Sequence, residues 1–206
     1  MTWFKRCAVV LAAAAAVALA PAGAAQEHNM LTSAEQADGW ALLFDGAGLD
    51  GWAPRGDAQW EVADGAVSPV EGSGRGHLAT EAHYADFELV ADFWIDETAN
   101  SGIFIRTPAE GAINQGNSFE VNIYDPHASW PTGSINEIAK IQTMPDTTGR
   151  WNTFEITADG DHLVVKLNGE TTVDAHSDRH AHGPIALQYN AAGQVRFRNI
   201  KIRTLD

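Results

Sequence analysis

Apolar and polar residues alternate with period two in segment after segment of this chain, which leaves little room for any class but an all-β one. Phe87 to Ile95 sets Phe87, Leu89, Ala91, Phe93 and Ile95 on one face, with Glu88 and Asp92 on the other. That is the pattern of a strand with one side against a core. Phe119, Val121 and Ile123 alternate with Glu120, Asn122 and Tyr124, and Leu163, Val165 and Leu167 alternate with Val164 and Lys166. Asn168-Gly169 then supplies the two positive-φ positions of a tight hairpin turn, with Thr171 to Val173 as the return strand. Further strands are expected at Ala41–Phe44, Gln59–Val62, Ala66–Ser68, Gly102–Arg106, Trp151–Thr157, Pro184–Gln188 and Val195–Ile202. No window beyond residue 25 sustains a helical period. Many short strands with turn residues between them predict an antiparallel sandwich or barrel.

The first segment stands apart. Lys5 and Arg6 precede an apolar run from Ala8 to Ala20, and Pro21-Ala22-Gly23-Ala24-Ala25 ends it in small residues. A charged start, a short apolar stretch and a small-residue end read as a secretory signal over residues 1–25. The run is shorter than the ~20 apolar residues of a spanning helix. The expectation is a periplasmic or secreted protein, with no membrane insertion of the mature chain. Residues 26–39 form a polar leader, loose or briefly helical, and residues 40–206 read as one domain without linker or repeat. Cys7 is the only cysteine, which excludes a disulfide scaffold and a Cys-based zinc site. Without Lys5 and Arg6, 11 basic residues face 27 acidic ones, a formal charge of −16. A field of that sign repels phosphate backbones, so nucleic acid is excluded as a partner and uncharged ligands such as sugars stay open.

Charged and amide side chains inside the strands are the candidates for chemistry. Arg106, Glu120, Gln188, Arg196 and Arg198 all fall at polar positions of apolar strands. On the open face of a sandwich they would line a groove for a hydroxyl-rich ligand; they would equally serve as solvated cross-strand ion pairs. Glu120-Val121-Asn122-Ile123-Tyr124-Asp125 resembles the E-x-D-x-x-E strand of laminarinase-like glycosidases, with Asn122 and Asp125 in place of the second and third acids. Asn cannot titrate, so the coupling between neighbouring acids is missing. The run Asp174 to His182 reads as a soluble loop rather than a metal site, and Asp159-Gly160-Asp161 as a turn. His77, His83 and Asp57 read as surface residues. Trp40, Trp52, Trp60, Trp94 and Trp151 read as core, whereas Trp130, in the weakly patterned stretch Asp125–Arg150, is either a sugar-stacking platform or a loop anchor.

The motifs then fall into a known order. Leu43-Phe44-Asp45-Gly46 with Leu49-Asp50-Gly51-Trp52 comes first, followed by Trp60-Glu61-Val62 with Asp64-Gly65 and by Asn100-Ser101-Gly102-Ile103 with Arg106. Phe119 to Ile123 with Asp125, Gly149 to Asn152, Asn168-Gly169, Gly183 to Gln188 and Phe197 to Ile200 complete it. The set, from about Trp40 to Leu205, resembles the 3-keto-disaccharide hydrolase domain family. The resemblance implies an all-β, two-sheet jelly-roll sandwich of the concanavalin and laminarinase type, and cleavage of glycosides oxidised at C3. It maps Asn100, Ser101, Arg106, Glu120, Asp125, Gln188 and Arg198 onto the functional face. Two departures stand out. Many members carry Asp-His after Leu-Gln where this chain has Tyr189-Asn190, and Ile135 to Ile138 lacks a frequent aromatic.

These readings set definite expectations. Glu120 is the base or acid, Asp125 its partner, and Arg106 or Arg198 the stabiliser of an enolate oxygen. Asn100, Ser101, Asn122, Tyr124, Trp130, Gln188 and Arg198 are assigned to a sugar ligand. Arg106, Glu120, Gln188 and Arg198 should converge on one concave sheet face. A divalent cation could assist or replace an arginine, although no metal-ligand pattern is seen. The alternative is a lectin-like domain that binds without turnover.

Overall fold

The protein is described by a computed structural model covering Met1 and residues 28–205. The expected export signal therefore lies outside the described residues, Met1 apart. Among the described residues thirteen strands form two antiparallel sheets, and the helix α1 (Ser33–Ala37) has five residues. In chain order the strands are β1 (Ala41–Leu42), β2 (Trp52–Gly56), β3 (Trp60–Ala63), β4 (Ala66–Pro69), β5 (Gly76–Thr80), β6 (Phe87–Ile95) and β7 (Ser101–Ile105). They continue as β8 (Phe119–Ile123), β9 (Trp151–Asp159), β10 (His162–Leu167), β11 (Glu170–His176), β12 (Ala186–Tyr189) and β13 (Val195–Thr204). The larger sheet runs β11-β10-β9-β6-β13-β4-β3, with β1 beside β13; the five-stranded sheet runs β2-β5-β12-β7-β8.

The alternation does what period two requires. Phe87, Leu89, Phe93, Phe154, Ile156, Leu163 and Val165 point inward from the large sheet, and Leu78, Ile103, Ile105, Phe119, Val121 and Leu187 meet them from the small one. Burying each such side chain contributes about 1.5–3 kcal/mol. On β13 the inward set is Val195, Phe197, Ile200 and Ile202, whose spacing slips by one residue. The structure absorbs the slip as a bulge between Arg198 and Lys201, with Asn199 at φ 51°.

Two strands, β2 and β5, were not foreseen, and both belong to the five-stranded sheet. From residue 28 the leader takes the briefly helical form of the two expected. Thr32 and Glu35 form a reciprocal capping box, Lys201 contacts Glu35, Arg203 contacts Asp38, and the Asn29 side chain bonds to Gly65 O (2.8 Å) and to the Asn199 N–H (2.7 Å). So short a helix depends on such tertiary contacts. The Asp125–Arg150 stretch is likewise ordered. Asn122 accepts from Gly133 N–H and donates its own N–H to Ser134 O, and Asn136 N–H donates to Glu120 O, each at 3.0 Å. This segment pairs with β8 and covers an edge that would otherwise be open.

Among the tryptophans expected in the core, Trp52 is buried, whereas Trp94 and Trp151 are half-buried on the outer face of the large sheet beneath Arg196 and Arg198. Among the described residues, no helix is long and apolar enough to cross a membrane.

Candidate active site

The outer face of the five-stranded sheet carries the candidate site, because its strands put small and polar residues there while their alternate positions face the core. Register aligns Arg55 with His77, His77 with Gln188, and Phe104 with Glu120 across neighbouring strands. Ala79, Ala186, Phe104 and Ile113 form a small apolar floor separate from the main core. The His77 and Phe104 rings meet edge-on, with centroids 4.9 Å apart, although β12 lies between their strands. Both side chains therefore lean over β12, where Ala186 leaves room.

Glu120 leans the same way. A Cβ placed on Gly102 would lie 3.0 Å from Glu120 Oε1 and 3.1 Å from its Cγ, so the carboxyl occupies the space that glycine leaves above β7. The imidazole over β12 and the carboxyl over β7 thus stand above adjacent strands, which are about 4.8 Å apart. Loop residues 107–118 and the Asn136–Glu137 turn wall the face into a groove. One lobe, about 320 Å³, is lined by Phe104, Ile113, Gln115, Glu120, Glu137 and Gln188 among others. The second, about 290 Å³, is lined by Arg55, Arg75, His77, Ile113, Gln188 and Asn190 among others. Ile113 and Gln188 belong to both, so the lobes form one groove of ligand-site size.

The electrostatics are those of groups held away from water. Glu120 is 3% exposed, and Asn136 Nδ2 donates to its Oε2 at 2.7 Å. Burial pushes the Glu120 carboxyl above its ordinary range, with hydrogen bonds from Gln115 and Asn136 holding back part of the rise. Burial, with the Arg55 charge adding to it, depresses the His77 imidazole to about 4, so the ring is neutral at neutral pH. His77 Nε2, Gln188 Oε1 and Asn136 Oδ1 are buried without a hydrogen-bond partner, a costly state unless a ligand or water completes it.

The His77 shift has a measurable consequence. Between about pH 6.5 and 4 the unfolded chain takes up a proton on this imidazole that the folded chain refuses, so stability should fall as pH falls through that window. Urea unfolding at about pH 7.5 and about pH 4.5 should show a smaller loss for His77→Gln than for the wild type. Equal losses would mean that the folded imidazole titrates like a free one.

Only part of the expected constellation converges. Glu120 and Gln188 line the groove. Arg106 does not: it sits just past β7 at φ 51°, which turns it off the strand's course. Its guanidinium donates to Ala85 O (2.9 Å), Gly160 O (2.7 Å) and His180 O (3.0 Å) and pairs with Asp86 (2.9 Å). Arg198 lies on the other sheet, 3.5 Å from Asp92 and stacked 3.8 Å over Trp151. Asp125 accepts from the Thr147 N–H and hydroxyl, both at 2.7 Å, and so clasps a loop instead of partnering Glu120. Asn122 donates its side-chain amide to Trp130 O, and the Trp130 backbone N–H donates to His127 Nδ1 at 2.9 Å; these bonds fix the main chain of Trp130, which is half-buried and lines neither lobe. Ser101 donates its hydroxyl to Gln188 O (2.7 Å), whereas Asn100 and Tyr124 are half-buried and line neither lobe.

The sequence reading missed His77, Arg55, Arg75, Gln115 and Asn136. In Gly76-His77-Leu78-Ala79-Thr80 the one available signal was His77 and Ala79 alternating with a single large apolar residue, Leu78. Among the described residues, no three His, Cys, Asp or Glu side chains gather as a metal-holding group. The Asp174–His182 run is divided: His176 pairs with Asp161 (3.1 Å) and stacks on His162, and His180 packs against Phe119.

Solved structures share this architecture. A Parabacteroides distasonis protein provisionally assigned as a glycosyl hydrolase superposes with a TM-score of 0.75 at 23% identity, covering 87% of this chain and 100% of that one. The carbohydrate-binding module CBM66 of Bacillus subtilis gives 0.60 at 19% identity, over 75% of this chain and 96% of that one. A β-glucanase of Bacillus licheniformis gives 0.55 at 11%, over 75% and 92%. No curated protein matches the sequence. The family model described as the 3-keto-alpha-glucoside-1,2-lyase-like domain matches residues 39–203, nearly the whole described sandwich, and the chain belongs to that family.

Proposed function

We propose that the groove cleaves 3-keto-glycosides by removing the C2 proton and eliminating the C1 substituent, with water then adding to the product. The observation that carries this reading is the water-poor Glu120 carboxyl held over Gly102, in one groove with the orphaned His77 Nε2 and Gln188 Oε1, in a chain of this family. A ketone at C3 makes the C2 hydrogen acidic. The ionised Glu120 takes that proton, and the electron pair moves into an enolate on the C3 oxygen. Collapse of the enolate breaks the C1–O bond, and the expelled oxygen takes a proton from solvent at the open end of the groove.

A carboxylate in a poorly solvated site is a stronger base than one in water. The neutral imidazole of His77 and the Gln188 amide can donate to the enolate oxygen, the task expected of Arg106 or Arg198. Phe104, Ile113, Ala79 and Ala186 supply an apolar surface for a sugar ring. No step requires a metal ligand set. The N-terminal sequence pattern supports action outside the cytoplasm.

The test is incubation with 3-keto-trehalose or 3-keto-lactose beside the unoxidised sugars. Free monosaccharide should appear only from the oxidised substrates, because without the ketone the C2 hydrogen is not acidic. The pH profile of kcat/KM should rise through a midpoint above the ordinary carboxylate range. Cleavage of unoxidised trehalose or lactose would replace this reading with ordinary glycoside hydrolysis. The second reading is binding without turnover. Tyr189-Asn190 after Leu187-Gln188 favours it, as does the likeness to a carbohydrate-binding module; saturable binding of both sugar forms with no product would establish it.

A further inference from the structure

The groove is electrically divided. Its Glu120 lobe holds two carboxyls, Glu120 and Glu137, while the other lobe holds two guanidiniums, Arg55 and Arg75, and no acid. This is unusual in a chain where 27 acidic residues outnumber 13 basic ones. Among the described residues seven lysines and arginines, Arg106 and Arg198 among them, lie within 4.0 Å of a carboxylate. Arg55 and Arg75 have no such partner among the described residues. The acids nearest them in sequence, Asp57 and Glu71, are exposed and do not line the lobe.

Arg55 is also held in place. Its Nη1 donates to Pro108 O (2.7 Å) and its Nη2 to Ala109 O (2.5 Å). Two of the five guanidinium N–H groups are thereby spent on fixing the ring, and three remain for a ligand. Arg75 is exposed and makes no side-chain hydrogen bond among the described residues, so it can swing onto the same ligand. His77, opposite Arg55 on the neighbouring strand and two residues after Arg75, is neutral with Nε2 unpartnered, and Asn190 adds an amide to the lining.

We infer that the Arg55–Arg75 lobe is a subsite for an anionic substituent, a carboxylate or a sulfate ester, carried by the part of the glycoside that points away from Glu120. The inference rests on the reading of this groove as a glycoside site. A fixed guanidinium with a second mobile one suits the planar, two-oxygen edge of such a group. The overall negative charge does not prevent this. At physiological salt the screening length is about 8 Å, so an anion in the lobe feels the two arginines far more than distant surface acids. The ligand class is then an acidic glycoside, such as one bearing a uronic acid or a sulfated sugar, with its neutral 3-keto ring in the Glu120 lobe and its charge beside Arg55.

Calorimetric binding of methyl glucoside, methyl glucuronide and glucose 6-sulfate tests this without turnover, since none carries the 3-ketone. At about 50 mM salt at least one anionic sugar should bind about tenfold or more tightly than methyl glucoside, with the advantage shrinking as salt is raised. A preference for the glucuronide alone assigns the lobe to carboxylates, and a preference for glucose 6-sulfate alone assigns it to sulfate esters. Arg75→Gln, an exposed change with no structural partner to lose, should remove most of that advantage, and Arg55→Lys should reduce it while keeping the charge. Equal affinity for all three sugars, or an anion preference unchanged in the Arg55→Lys, Arg75→Gln double variant, would overturn the inference. Its failure is separable from that of the cleavage reading. If neutral 3-keto-lactose is cleaved while the three sugars bind equally, only the anionic subsite falls. An Arg75-dependent anion preference without cleavage of any keto-sugar leaves the subsite standing and removes the lyase.

Discussion

Glu120→Gln should reduce release of monosaccharide from a 3-keto-disaccharide by about 10²–10⁴-fold while leaving the fold intact. Gln keeps the size of Glu and can still meet Asn136, which lies 2.7 Å from the Glu120 carboxyl, but it cannot take up the C2 proton. Folding should not suffer. Burial raises the Glu120 pKa, so above that value the ionised carboxylate costs the folded state free energy, and Gln removes the cost. At neutral pH the variant should be as stable as the wild type or more so. Loss of activity with undiminished thermal stability and retained sugar binding is the expected combination. Full activity in Glu120→Gln would remove this residue from the mechanism.

Arg106→Met should instead damage the fold, by about 3–5 kcal/mol of unfolding free energy. The guanidinium is 2% exposed and ties together Ala85, Gly160, His180 and Asp86, which come from three separate connections between strands. Met fills much of the volume but leaves three carbonyls without their donor. Arg106→Lys should recover part of the loss, because an ammonium keeps the charge near Asp86 but not the planar fork. Urea unfolding of the three proteins measures this. A loss below about 1 kcal/mol for Arg106→Met would mean that those carbonyls find other partners.

The contrast between these two residues shows what the sequence could and could not reveal. Both are charges at polar positions of apolar strands. Parity places Glu120 correctly because β8 continues regularly past it. Parity fails for Arg106 because the strand stops at Ile105 and the next residue takes a left-handed conformation. Arg198 fails differently. Alternation tells which side of a sheet a residue occupies but not which of two sheets it belongs to, and β13 lies in the sheet opposite the groove. Asp125, just past the end of β8, was drawn into a loop clasp that nothing local announces.

The strands with long alternation, β6 and β10, were readable within a residue. The two unforeseen strands carry Arg55 and His77. β2 contains Pro54, which is tolerated because β2 is an edge strand of its sheet. β5 offers only Leu78 as a large apolar residue, because its other face is the floor of the groove, where small and polar side chains are wanted. A functional face weakens the pattern by which strands are recognised, and so Arg55 and His77 went unread.

The proposed removal of the C2 proton of a 3-keto sugar by Glu120 is observed directly by proton NMR in D₂O. With the wild type, 3-keto-lactose should lose its C2 proton signal and release monosaccharide together, both far faster than without protein, and Glu120→Gln should do neither. Release of monosaccharide with the C2 proton retained, or equal exchange in the wild type and Glu120→Gln, would contradict it.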